Sequence, residues 1–225
     1  MAAAGGGVSH ATAELTWGLI IASLRHIPYE VAQLKQGAWQ TTLGTGLHGK
    51  TLGIYALGKI GSRVAEVGRA FGMEVTCWGR EASRAKAAQA GYRVPASREE
   101  FFSNVDVLSL HIPLNKETRG IVTAADLACM KPTALLVNTS RAPLVDPQVL
   151  LRALDAGRPG FAAIDVYEDE PVLGGRHPLL GRTNVICTPH LGYVTRETYE
   201  NYYGTVVESI LGFAAGKPVN VISAA

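Results

Sequence analysis

Along residues 12–34 apolar positions recur at helical spacing, with Ser9 and Thr12 placed as caps and Pro28 interrupting the run. From Gly49 onward the rhythm changes to short apolar runs alternating with helical patterns. "KTLGIYAL" reads as a strand, "KIGSRVAEVGRAF" as a helix, "EVTCWG" as a strand, "SRAKAAQA" as a helix and "DVLSLHIP" as a strand. After an irregular stretch come the strand "ALLVNTS", the helix "DPQVLLRALDAG" and the strands "GFAAIDVY" and "NVICTPH". A last helix is expected over residues 195–215, ending near Gly216 and Pro218. Strands rich in Val, Ile and Leu with helices between them imply parallel pairing covered on both faces, and right-handed crossovers then give an α/β, doubly wound parallel sheet. Helices flank it at both the N- and C-terminal ends.

The first of these strands runs into a glycine turn and then a helix: "GIYALGKIG", Gly53 to Gly61. That order serves a dinucleotide pyrophosphate, which needs close backbone and a helix N-terminus aimed at it, and so marks the sheet as Rossmann-type. Gly58 and Gly61 fill the second and third glycine roles, the approach of backbone to phosphate and the packing of helix on strand, with Lys59 and Ile60 between them. Ala56 stands where the first glycine would be; at a negative φ it would be tolerated, and cofactor binding is expected to survive. NAD sites place an acid at the end of the second strand, on the ribose hydroxyls. Here that strand ends in Gly79 and Arg80, with Ser83 and Arg84 close behind. Loss of the carboxylate and gain of guanidinium groups favour NADP over NAD.

Composition narrows the function classes. In 225 residues with 47% apolar content there is material for a real core, and a net charge of +2 with no Lys/Arg run argues against nucleic acid as a partner. The opening stretch lacks a basic targeting region, and no apolar run approaches the ~20 residues of a bilayer span, so no membrane role is expected. Cys77, Cys129 and Cys187 lack metal-type spacing and are odd in number, which suits free thiols in the cytoplasm and no metal site.

Three segments bring polar groups to the carboxyl ends of strands, the ligand-binding edge of such sheets: "VNTSRAPLVD", "AAIDVYEDEP" and "ICTPHLGY". Behind a glycine loop and in this order they resemble the D-isomer-specific 2-hydroxyacid dehydrogenases, among them glyoxylate/hydroxypyruvate reductases, phosphoglycerate dehydrogenases and D-lactate dehydrogenases. The likeness runs over residues 9–222. It implies Arg141 as the substrate-binding arginine, His190 as the acid/base and Glu170 as the carboxylate paired with it. The chemistry suits these types: a guanidinium fork grips the carboxylate and carbonyl of a 2-oxo acid, an imidazolium supplies the proton, and a carboxylate stabilises that imidazolium. His111 and Pro113, in "SLHIPL", match positions near the cofactor, as do Thr139, Ser140 and Gly192, while Arg141 and His190 also face it. Asp165 falls near the nicotinamide amide, with structural capping as its rival reading. His10, His26, His48 and His177 have weaker claims, and Arg141 has the rival reading of a turn residue paired with Asp146.

The resemblance also sets boundaries. Residues 1–47 correspond to a linker helix and a segment, "RHIPYEVAQLKQGAW", that makes a two-fold homodimer contact in the family. Residues 48–193 form the dinucleotide-binding domain, and residues 194–225 a helix that would complete a substrate domain. Family members usually begin with most of that substrate domain, for which this chain has no counterpart. Two function classes follow: an oxidoreductase reducing a small 2-oxo acid to the D-2-hydroxy acid, or a chain lacking turnover, whether a nucleotide-binding or corepressor-like module or an inactive truncated remnant.

Overall fold

Six apolar runs form one sheet in the computed structural model, which describes residues 9–222. They are β1 (Thr51–Tyr55), β2 (Glu74–Trp78), β3 (Val107–Leu110), β4 (Leu135–Asn138), β5 (Phe161–Ile164) and β6 (Val185–Cys187). The order is β2-β1-β3-β4-β5-β6 and every pair is parallel, as expected of Val/Ile/Leu-rich strands separated by helices. Successive side chains of one strand go to opposite faces. Leu52, Ile54, Val107, Leu135 and Val137 join one core, whereas Tyr55, Leu108, Leu110 and Leu136 join the other. Both layers are largely buried and apolar, which is why these strands read as mostly apolar runs.

Helices α1 (Ser9–Leu24) and α3 (Lys59–Ala70) cover the first face, with Trp17, Leu19 and Ile20 packed among Leu52, Ile54, Val64 and Ala65. Helices α2 (Ile27–Lys35) and α4 (Glu81–Gln89) follow α1 and β2 in the chain. The helical run expected over residues 12–34 breaks at His26, whose φ of 51° is left-handed, and not at Pro28. Pro28 sits in the first turn of α2, where its missing N–H has no partner to lose.

Two helices on the second face escape the sequence pattern. α5 (Arg98–Asn104) buries Phe101 and Phe102, with Ser97 Oγ accepting from the Glu100 N–H; α6 (Ala124–Cys129) opens on a capping box between Thr123 and Asp126. α7 (Pro147–Asp155) completes that layer with Leu150 and Leu154. α8 (Arg196–Ala214) starts at its cap Thr195, one residue inside the expected bound, and buries only Thr198. Along it Tyr203, Val207, Ile210, Leu211 and Phe213 stay exposed, as do Ile27, Tyr29, Val31 and Leu34 on α2 and Trp39 and Leu43 beyond it. No described helix is long and apolar enough to cross a membrane. The Ala/Gly-rich opening at residues 1–8 lies outside the described residues.

Candidate active site

The chain leaves β1 for β2 on one side and returns to β3 on the other, so the sheet's switch point lies between β1 and β3. A cavity of about 600 Å³ opens there, lined by Gly58, Gly79, Arg80, His111 and Pro113. Gly58 is the N-cap of α3 and offers no side-chain acceptor, so the first N–H groups of that helix face the cleft unclaimed by a side chain. A Cβ on Gly61 would stand 2.4 Å from the Ala56 carbonyl oxygen and 3.1 Å from Ile54 Cγ2, so only glycine lets α3 approach β1. These features fit a dinucleotide pyrophosphate. Lys59 is exposed at the first turn of α3, and Ile60 turns its side chain to the core, leaving its backbone for the cleft.

Ala56 corrects the sequence reading. Its φ is 75°, not negative, so the first position of the loop does require the left-handed region, at a cost of about 1–2 kcal/mol for a residue with a Cβ. The Ala56 N–H donates to the Trp78 carbonyl at 2.8 Å and holds the turn. Gly79 adopts φ 151°, and a Cβ there would meet Ser83 Cβ at 3.1 Å, so the absence of an acid at this position has a backbone cause.

Arg80 does reach the rim of the cavity. Its guanidinium pairs with Glu117 at 2.5 Å, both side chains largely exposed, while Arg84 pairs with Glu81 at 2.6 Å and lies over the Trp78 ring. Glu117, from the loop after β3, carries no motif that marks it in the sequence. Deeper in, Arg98 bonds Asp126 through Nε and Nη2 at 2.6 Å and donates to Tyr55 Oη at 2.9 Å. His111 places Nε2 2.9 Å from Ser109 Oγ, and burial pushes its pKa down to about 4, so it is a neutral wall of the cavity.

The second centre lies past β5 and β6. His190 Nδ1 donates to Glu170 Oε2 at 2.6 Å, with both side chains about one-third exposed (31% and 33%). Glu170 Oε1 accepts the Tyr167 N–H at 2.9 Å. Burial pushes the Glu170 pKa up, but the hydrogen bonds from His190 and the Tyr167 N–H outweigh it and hold the carboxyl below its ordinary range. With Nδ1 committed to a carboxylate, Nε2 is the atom left to hold or release a proton. The Tyr193 ring packs edge-on against His190 at 5.3 Å.

His190 has φ 54°, a strained state for a non-glycine residue. Asp165, fully buried at the end of β5, holds the loop around it: Oδ1 accepts from Thr188 Oγ1 at 2.6 Å and the Leu191 N–H at 2.8 Å, and Oδ2 from the Gly192 N–H at 2.9 Å. Its carboxylate is thus occupied in the capping manner. Arg141 is exposed, with Nη1 donating to the Ser140 carbonyl at 2.6 Å, and its charge helps lower the Glu170 pKa. Asp146 caps α7 through the Gln148 and Val149 N–H groups, so no Arg141–Asp146 pair forms. Ser140 Oγ donates to the Ile112 carbonyl, and Thr139 is buried against Thr16. Of the other histidines, His177 pairs with Glu168 at 3.1 Å and His26 packs on Phe161.

Residues 17–192 match the D-isomer specific 2-hydroxyacid dehydrogenases through their NAD binding domain, and the chain belongs to this family. Over 97% of its length it is 41% identical to a glyoxylate reductase of Aeropyrum pernix, and spans 68% of that enzyme. It is 39% identical over 92% of its length to the D-3-phosphoglycerate dehydrogenase of Bacillus subtilis, but spans only 39% of that longer protein. Among solved structures, a phosphoglycerate oxidoreductase from Vibrio cholerae superposes with a TM-score of 0.90 at 50% identity, covering 94% of this chain and 69% of that one. A D-lactate dehydrogenase from Aquifex aeolicus, complexed with NAD and lactic acid, gives 0.82 at 29% identity, covering 96% and 72%.

Proposed function

We propose that this chain reduces a small 2-oxo acid to the D-2-hydroxy acid, with His190 as the proton donor, Glu170 as its partner and Arg141 as the grip on the substrate carboxylate. The observation that carries the reading is the 2.6 Å His190–Glu170 pair, set on the same sheet edge as the glycine cradle. A reduced nicotinamide, when bound, supplies the hydride. The chain's part is to hold the pyrophosphate at Gly58 to Gly61, orient the acid through Arg141 and deliver a proton from His190 Nε2 as negative charge grows on the carbonyl oxygen. Thr139, Ser140 and Gly192 line the nicotinamide end mainly by backbone, and Asp165 acts there by fixing the loop. The test is titration with NADPH and NADH, then cofactor oxidation over a panel containing glyoxylate and hydroxypyruvate. Binding without turnover of any 2-oxo acid would refute it.

Gly79 and Arg80 support a preference for NADPH, but Glu117 competes for the same guanidinium. A 2′-phosphate must displace that carboxylate, so the preference is about tenfold or less and not the hundredfold that free charge-assisted bonds allow. Arg80→Ala should abolish it. Equal dissociation constants for the two cofactors in the unaltered chain would refute the preference.

The exposed apolar side chains of α2, with Trp39 beside them, support a homodimer built on this segment. Sedimentation as a monomer would refute it. The free cysteines suit a cytoplasmic setting. The uncovered apolar side of α8 favours the second reading, a cofactor-binding module with little turnover, and the same assay separates the two.

A further inference from the structure

Arg141 and His190 sit on loops beyond the last ladder bonds of β4 and β6, where the sheet no longer fixes their separation. One helix reaches both loops. Thr12 Oγ1 on α1 donates to the Gly192 carbonyl at 2.8 Å, two residues past His190. One turn later, Thr16 Oγ1 donates to the Thr12 carbonyl at 2.7 Å and lies 2.9 Å from Thr139 Oγ1, two residues before Arg141. A hydroxyl has one proton, and that of Thr16 is committed to the Thr12 carbonyl, so Thr139 donates to Thr16. Thr16 is fully buried and Thr139 nearly so, and this bond is sheltered from water. α1 itself cannot drift, because Trp17, Leu19 and Ile20 are locked in the core beneath the sheet.

The geometry points to Thr12 and Thr16 as positioning residues that hold the His190 loop and the Arg141 loop at a fixed spacing from one helix. This rests on the reading of Arg141 and His190 as the reacting pair. The two threonines divide the work. Thr12 secures the Gly192 carbonyl, while Asp165 takes the N–H groups of Leu191 and Gly192 after His190 and the Thr188 hydroxyl before it, so the left-handed His190 backbone is pinned from both sides. Thr16 instead secures Thr139, and through it the turn that presents Arg141.

Valine keeps the shape of threonine and removes the hydroxyl, so Thr12→Val and Thr16→Val test the clamp. Thr12→Val should lower kcat about tenfold, the worth of one net hydrogen bond, with NADPH and NADH dissociation constants unchanged. Thr16→Val should raise KM for the 2-oxo acid more than it lowers kcat, because Arg141 grips the acid in the ground state as well. Serine at either position should restore the original values. A second readout needs no turnover: the downfield proton resonance of His190 Nδ1–H, hydrogen bonded to Glu170. It should broaden or vanish in Thr12→Val, persist in Thr16→Val and return in Thr12→Ser. If Thr16→Val fails to fold at its buried site, Thr139→Val removes the same bond from the other side. Should the unaltered chain give no turnover, the proposed function fails while the resonance still decides the Thr12 arm of the clamp, and a lower Tm in Thr16→Val that Thr16→Ser restores decides the Thr16 arm. A Thr12→Val protein with the original resonance, or a Thr12→Ser protein that does not recover it, overturns the inference.

Discussion

Replacing Ala56 by glycine tests whether the cofactor loop is held under backbone strain. At φ 75° the alanine Cβ crowds its own carbonyl, at about 1–2 kcal/mol, whereas glycine occupies the region freely. Glycine also widens the unfolded ensemble, which returns about 0.4–1 kcal/mol of that gain. The balance favours Ala56→Gly by roughly 0.5–1 kcal/mol, and for a chain of this size each kcal/mol moves Tm by about 2–4 °C. Scanning calorimetry should therefore show a rise of about 1–4 °C. Valine at the same place is the opposite control, because a β-branched residue at positive φ is worse than alanine. Cofactor affinity should change less than about twofold in Ala56→Gly, since the loop keeps the conformation it already has. A lower Tm for glycine, or a higher one for valine, would refute the account of strain.

His190→Ala should cut 2-oxo acid reduction by about 10²–10⁴ while NADPH affinity, read by fluorescence titration, stays within a few-fold. Glu170, whose carboxyl is held below its ordinary range by His190 and the Tyr167 N–H, contributes stability that is full above the ordinary carboxylate pKa and is lost as pH falls through its lower folded value. Thermal scans from pH 7 down to 3 should therefore show the unaltered chain losing more Tm on acidification than Glu170→Gln; parallel curves would count against the pair. Asp165→Asn puts an amide N–H₂ against a loop donor in place of a charge-assisted acceptor, a loss of about 2 kcal/mol or more, or roughly 4–8 °C in Tm. An unchanged Tm would show that the loop is held by other bonds.

The sheet was legible because central parallel strands are apolar on both faces, and α3 and α7 because they carry a 3.6-residue apolar stripe. α5 and α6 were not, being short helices whose apolar residues come in pairs, Phe101 with Phe102 and Ala124 with Ala125, and not at helical spacing. Their caps were the available signal: Ser97 three residues before Glu100, and Thr123 three before Asp126. His190 and Glu170 were legible as side-chain types at strand ends, and the structure brings them into contact across 20 residues of chain. The sign of φ at Ala56 was not legible, because it is set by the Trp78 carbonyl on a neighbouring strand. Glu117 opposite Arg80 and Thr12 beside Gly192 were invisible for the same reason, since only the fold brings 37 and 180 residues of separation to hydrogen-bond distance.

Among the described residues His111 is the one imidazole on the wall of the cavity between β1 and β3, and burial, which pushes its pKa down to about 4, keeps it neutral near pH 7. The consequence is a division of labour in acidity. On the proposed function, the cofactor rests against a wall imidazole that stays neutral, whereas turnover draws its proton through His190, about one-third exposed at the far end of the edge. Cofactor binding and proton delivery are thus served by two different imidazoles, one sealed in the cavity wall and one open at the edge.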